Sequence, residues 1–244
     1  MIGFRPVFER ELKAYFSTPI AYIFIIIFVG LLGIFTFYIG GFFSREQADL
    51  TAFFAYQPWL YMFLIPAFAM NLWSQERLTG TMEILFTLPI TPLAAILAKY
   101  TAALVFLGLA LSMTFPIWIS VNILGSPDNG VIATSYISSF LMAGSYLAIG
   151  SAMSAMTTNQ VVAFVTSVTI CFIFTVSGLP MVLDAFSWAP DTIVLAIANL
   201  SFLTHFSALQ KGVVSLSDII YFASTIGFWL WITRLAIEHS REAP

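Results

Sequence analysis

A short polar segment, residues 75–92, contains the side chains of this sequence that are best suited to recognise a partner. It includes Glu76, Arg77 and Glu83, although the chain of 244 residues has only 12 acidic and 9 basic residues. Apolar runs long enough to cross a membrane lie on both sides of the segment. Because charged side chains avoid lipid, the segment is predicted to lie in water, where another protein could bind it.

Sequence patterns typical of enzymes are absent. The chain has no G-x-x-x-x-G-K-[ST] loop for nucleotide phosphates, no H-E-x-x-H and no G-x-S-x-G. The two histidines, His205 and His239, fall on opposite sides of the predicted bilayer and therefore cannot share a metal ion. Cys171 lies in an apolar run, where a lone thiol is most often a small hydrophobic side chain. We expect a non-catalytic chain that binds no cofactor or metal of its own.

The composition indicates a membrane protein. Hydrophobic residues make up 60% of the chain and charged residues 9%, and the mean hydropathy is +0.95. Soluble domains contain about 25% charged residues, so these charges are too few to cover a water-soluble surface. We predict an all-α, polytopic membrane protein with a single transmembrane domain, and short helices at its outer face within residues 181–215. The six predicted spans are roughly residues 19–41, 57–73, 92–123, 133–156, 160–180 and 216–237.

Individual residues predict further features of these spans. Pro116 should kink the third span. Gly144, Ala148 and Ala152 recur at four-residue spacing in the fourth span, which allows close helix packing within one subunit or at a dimer seam. Lys99, about two turns into the third span, is interpreted as an anchor whose ammonium extends to the interface. Since no ionisable residue is predicted at mid-span, a proton-driven or sodium-driven carrier lacks its usual side chains.

Residues 2–17 predict an amphipathic helix ahead of the first span. Its apolar face has helical spacing and consists of Phe4, Phe8, Leu12, Tyr15 and Phe16. Arg5, Glu9 and Lys13 recur every four residues on the polar face. Such a helix beside a span typically lies in the plane of the membrane interface, and the alternative is a cytosolic extension of the first span.

The polar segment itself predicts a short helix between spans two and three, within residues 75–90. Gly80 ends the preceding helix, and Thr79 or Gly80 can cap the new one, which places Glu83 in its first turn. The apolar face of this helix, at i, i+3 and i+4 spacing, consists of Met82, Leu85 and Phe86. Exposed apolar side chains with flanking charges suit insertion into a groove of a partner protein, and the alternative is a helix lying on lipid.

The distribution of lysine and arginine orients the chain in the membrane. Six spans put both termini on one side, together with the loop at 75–92. That side contains Arg5, Arg10, Lys13, Arg77, Lys99, Arg234 and Arg241, and the other side contains only Arg45 and Lys211. Because basic residues accumulate in the cytoplasm, both termini and the loop are predicted to be cytoplasmic.

Three stretches resemble one family of membrane proteins. Residues 75–89, QERLTGTMEILFTLP, resemble the Q-E-[KR]-x-x-G-T-x-E-x-L-x-T-x-P signature of ABC-2 type transporter permeases. Residues 10–22, RELKAYFSTPIAY, are similar to the R-E-L-K-x-Y-F-x-[ST]-P-I-A-Y pattern near the N-terminus of these proteins. A third stretch resembles the branch of this family that contains gliding-motility-associated permeases. It consists of residues 200–212 with Asp218, Tyr221 and Phe222. The resemblance extends over essentially the whole chain.

The resemblance implies six spans, an interfacial connecting helix, a coupling helix between spans two and three, and short extracellular helices between spans five and six. It implies a permease dimer, expected to be a homodimer, in the bilayer of the bacterial cytoplasmic (inner) membrane. Two cytosolic ATPases that bind ATP and Mg, and an auxiliary membrane protein with a periplasmic domain, are the implied partners, and no nucleic acid is expected. The implied ATPase-coupling residues are Glu76, Arg77, Thr79, Gly80, Thr81, Met82, Glu83, Leu85 and Phe86.

Two functions agree with these expectations. In the first, the chain is the permease subunit of an exporter, and closure of the ATPases pulls on the coupling helix and shifts spans one, two and five. Nonpolar span walls would favour a lipidic or amphipathic cargo, although no group of charges in the spans specifies a substrate. In the alternative, the chain is a non-transporting membrane anchor that transmits ATPase action to a periplasmic partner through the same loop.

Overall fold

The computed structural model describes residues 3–45 and 47–242 and is helical throughout, with no strand in these ranges. For Ile20, Ile84, Phe86, Arg241 and Glu242 the backbone alone is described. A π-helical turn, Phe35–Ile39, extends the second helix. The α-helices are α1 (Phe4–Ser17), α2 (Pro19–Ile34), α3 (Thr51–Ala69), α4 (Asn71–Leu78), α5 (Thr81–Thr87), α6 (Pro92–Ser112), α7 (Phe115–Leu124), α8 (Asn129–Met156), α9 (Gln160–Val176), α10 (Pro180–Ala185), α11 (Asp191–Asn199), α12 (Phe202–Gln210) and α13 (Leu216–Glu242).

Five segments of the described chain are long and apolar enough to cross a membrane, which confirms the predicted all-α, multi-pass class. They are Ala21–Arg45, Thr51–Leu78, Pro92–Leu124, Asn129–Met156 and Leu216–Ser240. The predicted fifth span corresponds to α9, whose 17 residues extend only about 25 Å at 1.5 Å per residue. α11 and α12 are apolar enough only as a pair, and they are bent by 68°. The described chain therefore has five helical segments long and apolar enough to cross a membrane, or six if that bent pair counts as one.

Local chemistry explains where several helices begin. Thr91 caps α6 by accepting a hydrogen bond from the amide of Ala94 at 3.3 Å, and Pro92 occupies the first turn. Asp128 and Asn159 cap α8 and α9 in the same way. The third span is interrupted between α6 and α7, and Pro116 lies in the first turn of α7, where a missing N–H costs nothing. The predicted kink near Pro116 is thus a short interruption at Met113 and Thr114, within one apolar segment, Pro92–Leu124.

α8 is the central helix of the bundle. Every residue from 142 to 155 is buried, as expected for a helix surrounded by other helices. A Cβ added to Gly150 would lie 2.4 Å from the Cβ of Ala69, so α3 and α8 can approach this closely only because of glycine. A Cβ at Gly144 would lie 3.0 Å from the Tyr100 hydroxyl. Gly144, Ala148 and Ala152 are buried by other helices of the same chain, which favours packing within one subunit over a dimer seam.

The two ends of α8 mark the two ends of the bundle. Gly212, after α12, lies beside Val131 near the start of α8. Arg77, at the end of α4, contacts Ala155 near the end of α8. At 1.5 Å per residue these two points are about 36 Å apart, slightly more than the hydrocarbon thickness of a bilayer. The short helices predicted within residues 181–215 are present as α10, α11 and α12.

Candidate functional site

The residues of the predicted coupling loop form a tight turn between α4 and α5. Gly80 has a φ of 70°, in the left-handed region that favours glycine, and a Cβ there would meet no other atom within 4 Å. The Thr79 hydroxyl donates to the Gln75 carbonyl oxygen at 2.9 Å and lies 2.9 Å from the Thr81 hydroxyl. Gly80 is therefore required for its backbone conformation, and the two threonines close the turn around it.

α5 directs apolar side chains toward the interior of the chain. Met82 and Leu85 are 5% and 4% exposed and belong to the hydrophobic core. The prediction that they form an exposed face is therefore wrong, because side chains of this same protein cover them. The side chain of Phe86 lies outside the described part of the chain. A role of these residues in binding an ATPase stays a prediction.

A different set of residues faces outward at this turn. Leu78 and Leu88 are 65% and 51% exposed. They flank the exposed turn and the exposed carboxylate of α5. We call this set the turn surface; it consists of Leu78, Thr79, Gly80, Thr81, Glu83 and Leu88.

Four charged side chains meet where α4 contacts α1 and α6. They are Arg10, Glu11, Glu76 and Lys99, and we call them the charge cluster. The Nζ of Lys99 lies 3.0 Å from Glu76 Oε1 and 3.2 Å from Glu11 Oε1. The Nη2 of Arg10 lies 3.2 Å from the same Glu76 oxygen and 2.5 Å from Glu11 Oε1. Two positive and two negative charges therefore balance, and such pairing is what makes charges tolerable away from water.

Lys99 is the most deeply buried member of the charge cluster. Its side chain is only 3% exposed, and it donates to the Leu72 carbonyl oxygen at 3.1 Å. Its ammonium also lies 5.0 Å from the centre of the Trp73 ring, within the range of a cation–π interaction. The expectation that the Lys99 ammonium reaches water is therefore wrong, and its position at the membrane interface stays a prediction. The side chain turns inward because three oxygen acceptors and an aromatic ring replace water there.

The charge cluster also acts on side chains of α1. Partial burial lowers the pKa of Arg10, but the hydrogen bonds and negative charges of Glu11 and Glu76 outweigh it, so the net shift is upward. Burial raises the pKa of Tyr15, and the charges of Glu11 and Glu76 raise it further. Arg10 therefore stays charged and the Tyr15 phenol stays neutral well into the alkaline range.

Arg77, the next residue along α4, contacts a different pair of helices, α8 and α13. Its Nη1 donates to the carbonyl oxygen of Ala155, and its Nη2 donates to the Ser240 hydroxyl at 3.1 Å. Ala155 lies in the last turn of α8, where carbonyl groups lack partners within the helix and carry partial negative charge. A guanidinium suits this position, and it links the end of α4 to the ends of α8 and α13.

A serine of α8 bridges the break between α3 and α4. The Ser154 hydroxyl accepts hydrogen bonds from the amides of Trp73 and Ser74, both at 3.0 Å, and donates to the Met70 carbonyl oxygen at 2.7 Å. The Trp73 indole N–H donates to the Ser151 hydroxyl at 3.2 Å. α4 is thus attached to α8 at its start as well as at its end, and a movement of one helix must be shared by the other.

α1 is amphipathic, as predicted, and its apolar face packs on the protein. The half-buried face consists of Phe4, Phe8, Leu12, Tyr15 and Phe16. The exposed face consists of Arg5, Glu9 and Lys13. The rings of Tyr15 and Phe16 lie 5.6 and 6.1 Å from the ring of Phe106 in α6. α1 is therefore held against α6 by aromatic contacts along the helix and by the charge cluster beside them.

Several residues of this site were not selected from the sequence. Arg10, Glu11, Ser154 and Ser240 lie far from residues 75–92 along the chain, and no local pattern connects them to it. A signal was available for Lys99, because an ammonium two turns inside an apolar helix requires acceptors. The two carboxylates that serve it, Glu11 and Glu76, belong to separate helices, so no local spacing pairs them with Lys99.

Among the described residues, no group of three or more His, Cys, Asp and Glu side chains is placed to hold a metal ion. His205 pairs instead with Asp218, at 2.6 Å between Nδ1 and Oδ1. Its Nε2 lies 2.9 Å from the carbonyl oxygen of Asn199. This histidine joins α12 to α11 and α13, which is a structural role.

Comparison with known proteins gives no family: no protein-family model matches the chain, and no curated protein is significantly similar to it. The likeness of residues 75–89 to the permease signature therefore stays a prediction from those residues.

Proposed function

We propose that this chain is the membrane permease subunit of an ABC-2 type transporter, driven by a separate cytosolic ATPase that binds the turn surface. One observation supports this most strongly. The residues that resemble the family signature form an exposed turn at one end of the bundle, and consecutive residues of it, Glu76 and Arg77, contact different groups of helices. A loop that only connected two spans would need neither contact.

In this proposal, the partner ATPase binds and hydrolyses the nucleotide. ATP and Mg²⁺ bind the ATPase, and this chain converts the movement of that partner into movement of its own helices. Glu83, Leu78 and Leu88 are exposed and offer one carboxylate between two apolar side chains for docking. A displacement of α4 then reaches α1 and α6 through Glu76, and α8 and α13 through Arg77.

The proposed setting is the bacterial cytoplasmic membrane, with the turn surface on the cytoplasmic side. The excess of lysine and arginine on that side supports this orientation. A second copy of the chain would complete the cargo path, and the scarcity of charges in the spans favours lipidic or amphipathic cargo. An auxiliary protein with a periplasmic domain would contact the opposite end of the bundle.

Substitution of Glu83 tests the docking. Glu83→Lys reverses an exposed charge in the first turn of α5 and is expected to weaken ATPase binding by about tenfold, equivalent to about 1.4 kcal/mol. The matched control is Asp191→Lys, which reverses an exposed charge in the first turn of α11. The measurements are the affinity of the purified ATPase for the chain in nanodiscs and the ATP turnover of the complex.

Equal affinity and turnover in both variants would show that the turn surface is not the docking site. The alternative function, a membrane anchor without transport, shares the docking and differs in cargo. Reconstituted vesicles separate the two, because only a transporter moves a labelled lipid or amphiphile across the bilayer in response to ATP.

A further inference from the structure

His205 of α12 contacts two other helices at the end of the bundle away from the turn surface. Its Nδ1 lies 2.6 Å from Oδ1 of Asp218, and the two side chains are 13% and 7% exposed. Its Nε2 lies 2.9 Å from the carbonyl oxygen of Asn199. Asp218 is in the first turn of α13, and Asn199 is the last residue of α11. We call these three residues the histidine junction, because they join α11, α12 and α13.

The two ring contacts of His205 require a proton between Nδ1 and Oδ1. A carbonyl oxygen only accepts, so Nε2 must carry the hydrogen that it donates to Asn199. An ionised carboxylate also only accepts, so Nδ1 must then carry a second hydrogen, and the ring is an imidazolium. The other possibility is a protonated carboxyl group that donates to a neutral ring. In both cases the junction contains one proton more than a neutral ring and a carboxylate.

The surroundings of the histidine junction place this proton on His205. The first turn of α13 carries partial positive charge, which favours the ionised form of Asp218. The last carbonyl groups of α11 carry partial negative charge, which favours a cation beside Asn199. The ring of Tyr221 is stacked on that of His205, with their centres 3.9 Å apart, and an aromatic face attracts a cation. These three neighbours therefore favour an imidazolium paired with a carboxylate.

The helices packed on α12 bring no competing charge to the histidine junction. α3, α8 and α9 contain no Asp, Glu, Lys or Arg, and their titratable groups are phenols and the buried thiol of Cys171, which are neutral near pH 7. The charge of α11, Asp191, is in its first turn, at the other end from Asn199. Among the described residues, His205 is the only cationic side chain within ion-pairing distance of Asp218.

We propose that the histidine junction is a proton-dependent latch, which joins α11 and α12 to α13 while His205 is an imidazolium and opens when the ring loses its second proton to water. A neutral imidazole has one N–H group, so it cannot donate to Asp218 and to Asn199 at the same time. Asp218 would then lose its cationic partner, although its Oδ2 is already buried without a hydrogen-bond donor among the described residues. No residue of α11 is buried, so α11 is the helix that is released. The latch does not depend on the proposed ATPase, because this chain supplies every group in it.

Amide hydrogen exchange of the full-length chain in detergent tests the latch. Because opening releases one proton, the equilibrium constant for opening of α11 should rise about tenfold per pH unit between about pH 7 and pH 9, above the range in which free imidazole loses its proton. Exchange of the α11 amides, corrected for the intrinsic effect of pH on exchange, measures this constant. The amides of the buried helix α8 are the internal control and should show no such rise. An α11 that exchanges at a corrected rate independent of pH would overturn the proposal.

Two variants separate the latch from an ordinary ion pair. Asp218→Asn provides an amide N–H that donates to the unprotonated Nδ1, so a neutral ring keeps both contacts and α11 should stay protected at every pH. The control, His239→Gln, removes the exposed histidine at the other end of α13 and should keep the tenfold rise. An Asp218→Asn chain in which α11 exchanges faster by the same factor at every pH would show a structural ion pair only. A rise that persists in Asp218→Asn would assign it to another group, and either result overturns the proposal.

Nuclear magnetic resonance of the ring nitrogens locates the proton. The chain has two histidines, so in His239→Gln a single isotope-labelled imidazole remains. Both of its nitrogens should carry hydrogen at the pH at which α11 is protected, and one should lose it over the pH range in which α11 exchange accelerates. A ring that is already neutral while α11 is protected, or that loses its proton without faster exchange of α11, would overturn the proposal.

Discussion

At the scale of single residues, the signature loop uses its charges inside the protein. Glu76 and Arg77 are the residues that a reader of the sequence would assign to contact with a partner. Both have internal partners instead, at 3.0 Å from Lys99 and 3.1 Å from Ser240. The exposed charge is that of Glu83. Glu76 and Arg77 therefore hold the loop in position, and a different residue, Glu83, has a charge that is free to contact a partner.

The charge cluster predicts a large effect of removing its buried cation. Lys99→Met leaves the carboxylates of Glu11 and Glu76 with only one cation, the half-exposed Arg10, and the free energy of unfolding should fall by about 3–5 kcal/mol. Lys211→Met, which removes an exposed lysine, should change it by less than about 0.5 kcal/mol. Chemical unfolding in detergent measures both variants.

A double substitution checks that pairing is the cause. Glu76→Gln removes one of the two carboxylates that Lys99 neutralises, so Lys99→Met should cost less in a Glu76→Gln chain than in the wild type. Strictly additive effects would show that Lys99 and Glu76 stabilise the fold separately.

At the scale of helices, the sequence predicted where elements begin more reliably than what they contact. Thr91 with Pro92 specifies a helix start, because capping and the lost proline N–H are local effects. The i, i+3, i+4 spacing of Met82 and Leu85 established an apolar face, but it carried no information on whether a partner or the same chain covers that face. The partners of Lys99 lie on α1 and α4, and only the packing of three helices brings them together.

The close contact of α3 and α8 can be tested at Gly150. Gly150→Ala would place a methyl group 2.4 Å from the Ala69 Cβ, so the two helices must separate, at a cost of about 1–3 kcal/mol in the free energy of unfolding. Gly30→Ala in α2 meets no atom within 4 Å, and its better helix propensity should leave stability equal or higher by up to about 1 kcal/mol. Thermal unfolding in detergent compares the two variants.

The cause of that cost can be isolated. Ala69→Gly removes the group that the new methyl would meet, so part of the stability lost in Gly150→Ala should return in the double variant. If the Gly150→Ala chain is as stable as the Gly30→Ala chain, the contact between Gly150 and Ala69 does not set the distance between α3 and α8.

At the scale of the whole molecule, the bundle has two ends that α8 separates by about 36 Å. The turn surface lies at one end, and the segment after α12 lies at the other. The distribution of basic residues predicts that the first end is cytoplasmic. The cysteine content permits a simple test, because Cys171 is the single cysteine and is buried.

Single cysteines at the two ends should react from opposite sides of the membrane. In a Cys171→Ser chain, Thr79→Cys should react with a membrane-impermeant maleimide only after permeabilisation, and Val213→Cys should react in intact cells, since both positions are exposed. Reaction of both cysteines from the same side would contradict the orientation, and reversed sides would invert it.

The adjacent contacts of Glu76 and Arg77 also restrict how α4 can move. Successive residues of an α-helix point about 100° apart around its axis, so the side chains of Glu76 and Arg77 contact the bundle in different directions. Rotation of α4 about its own axis would pull both charged groups from their partners at once. Translation along the axis keeps both contacts and carries α1, α6, α8 and α13 in the same direction. The contacts of Glu76 and Arg77 therefore oppose rotation of α4 about its axis more than they oppose translation along it.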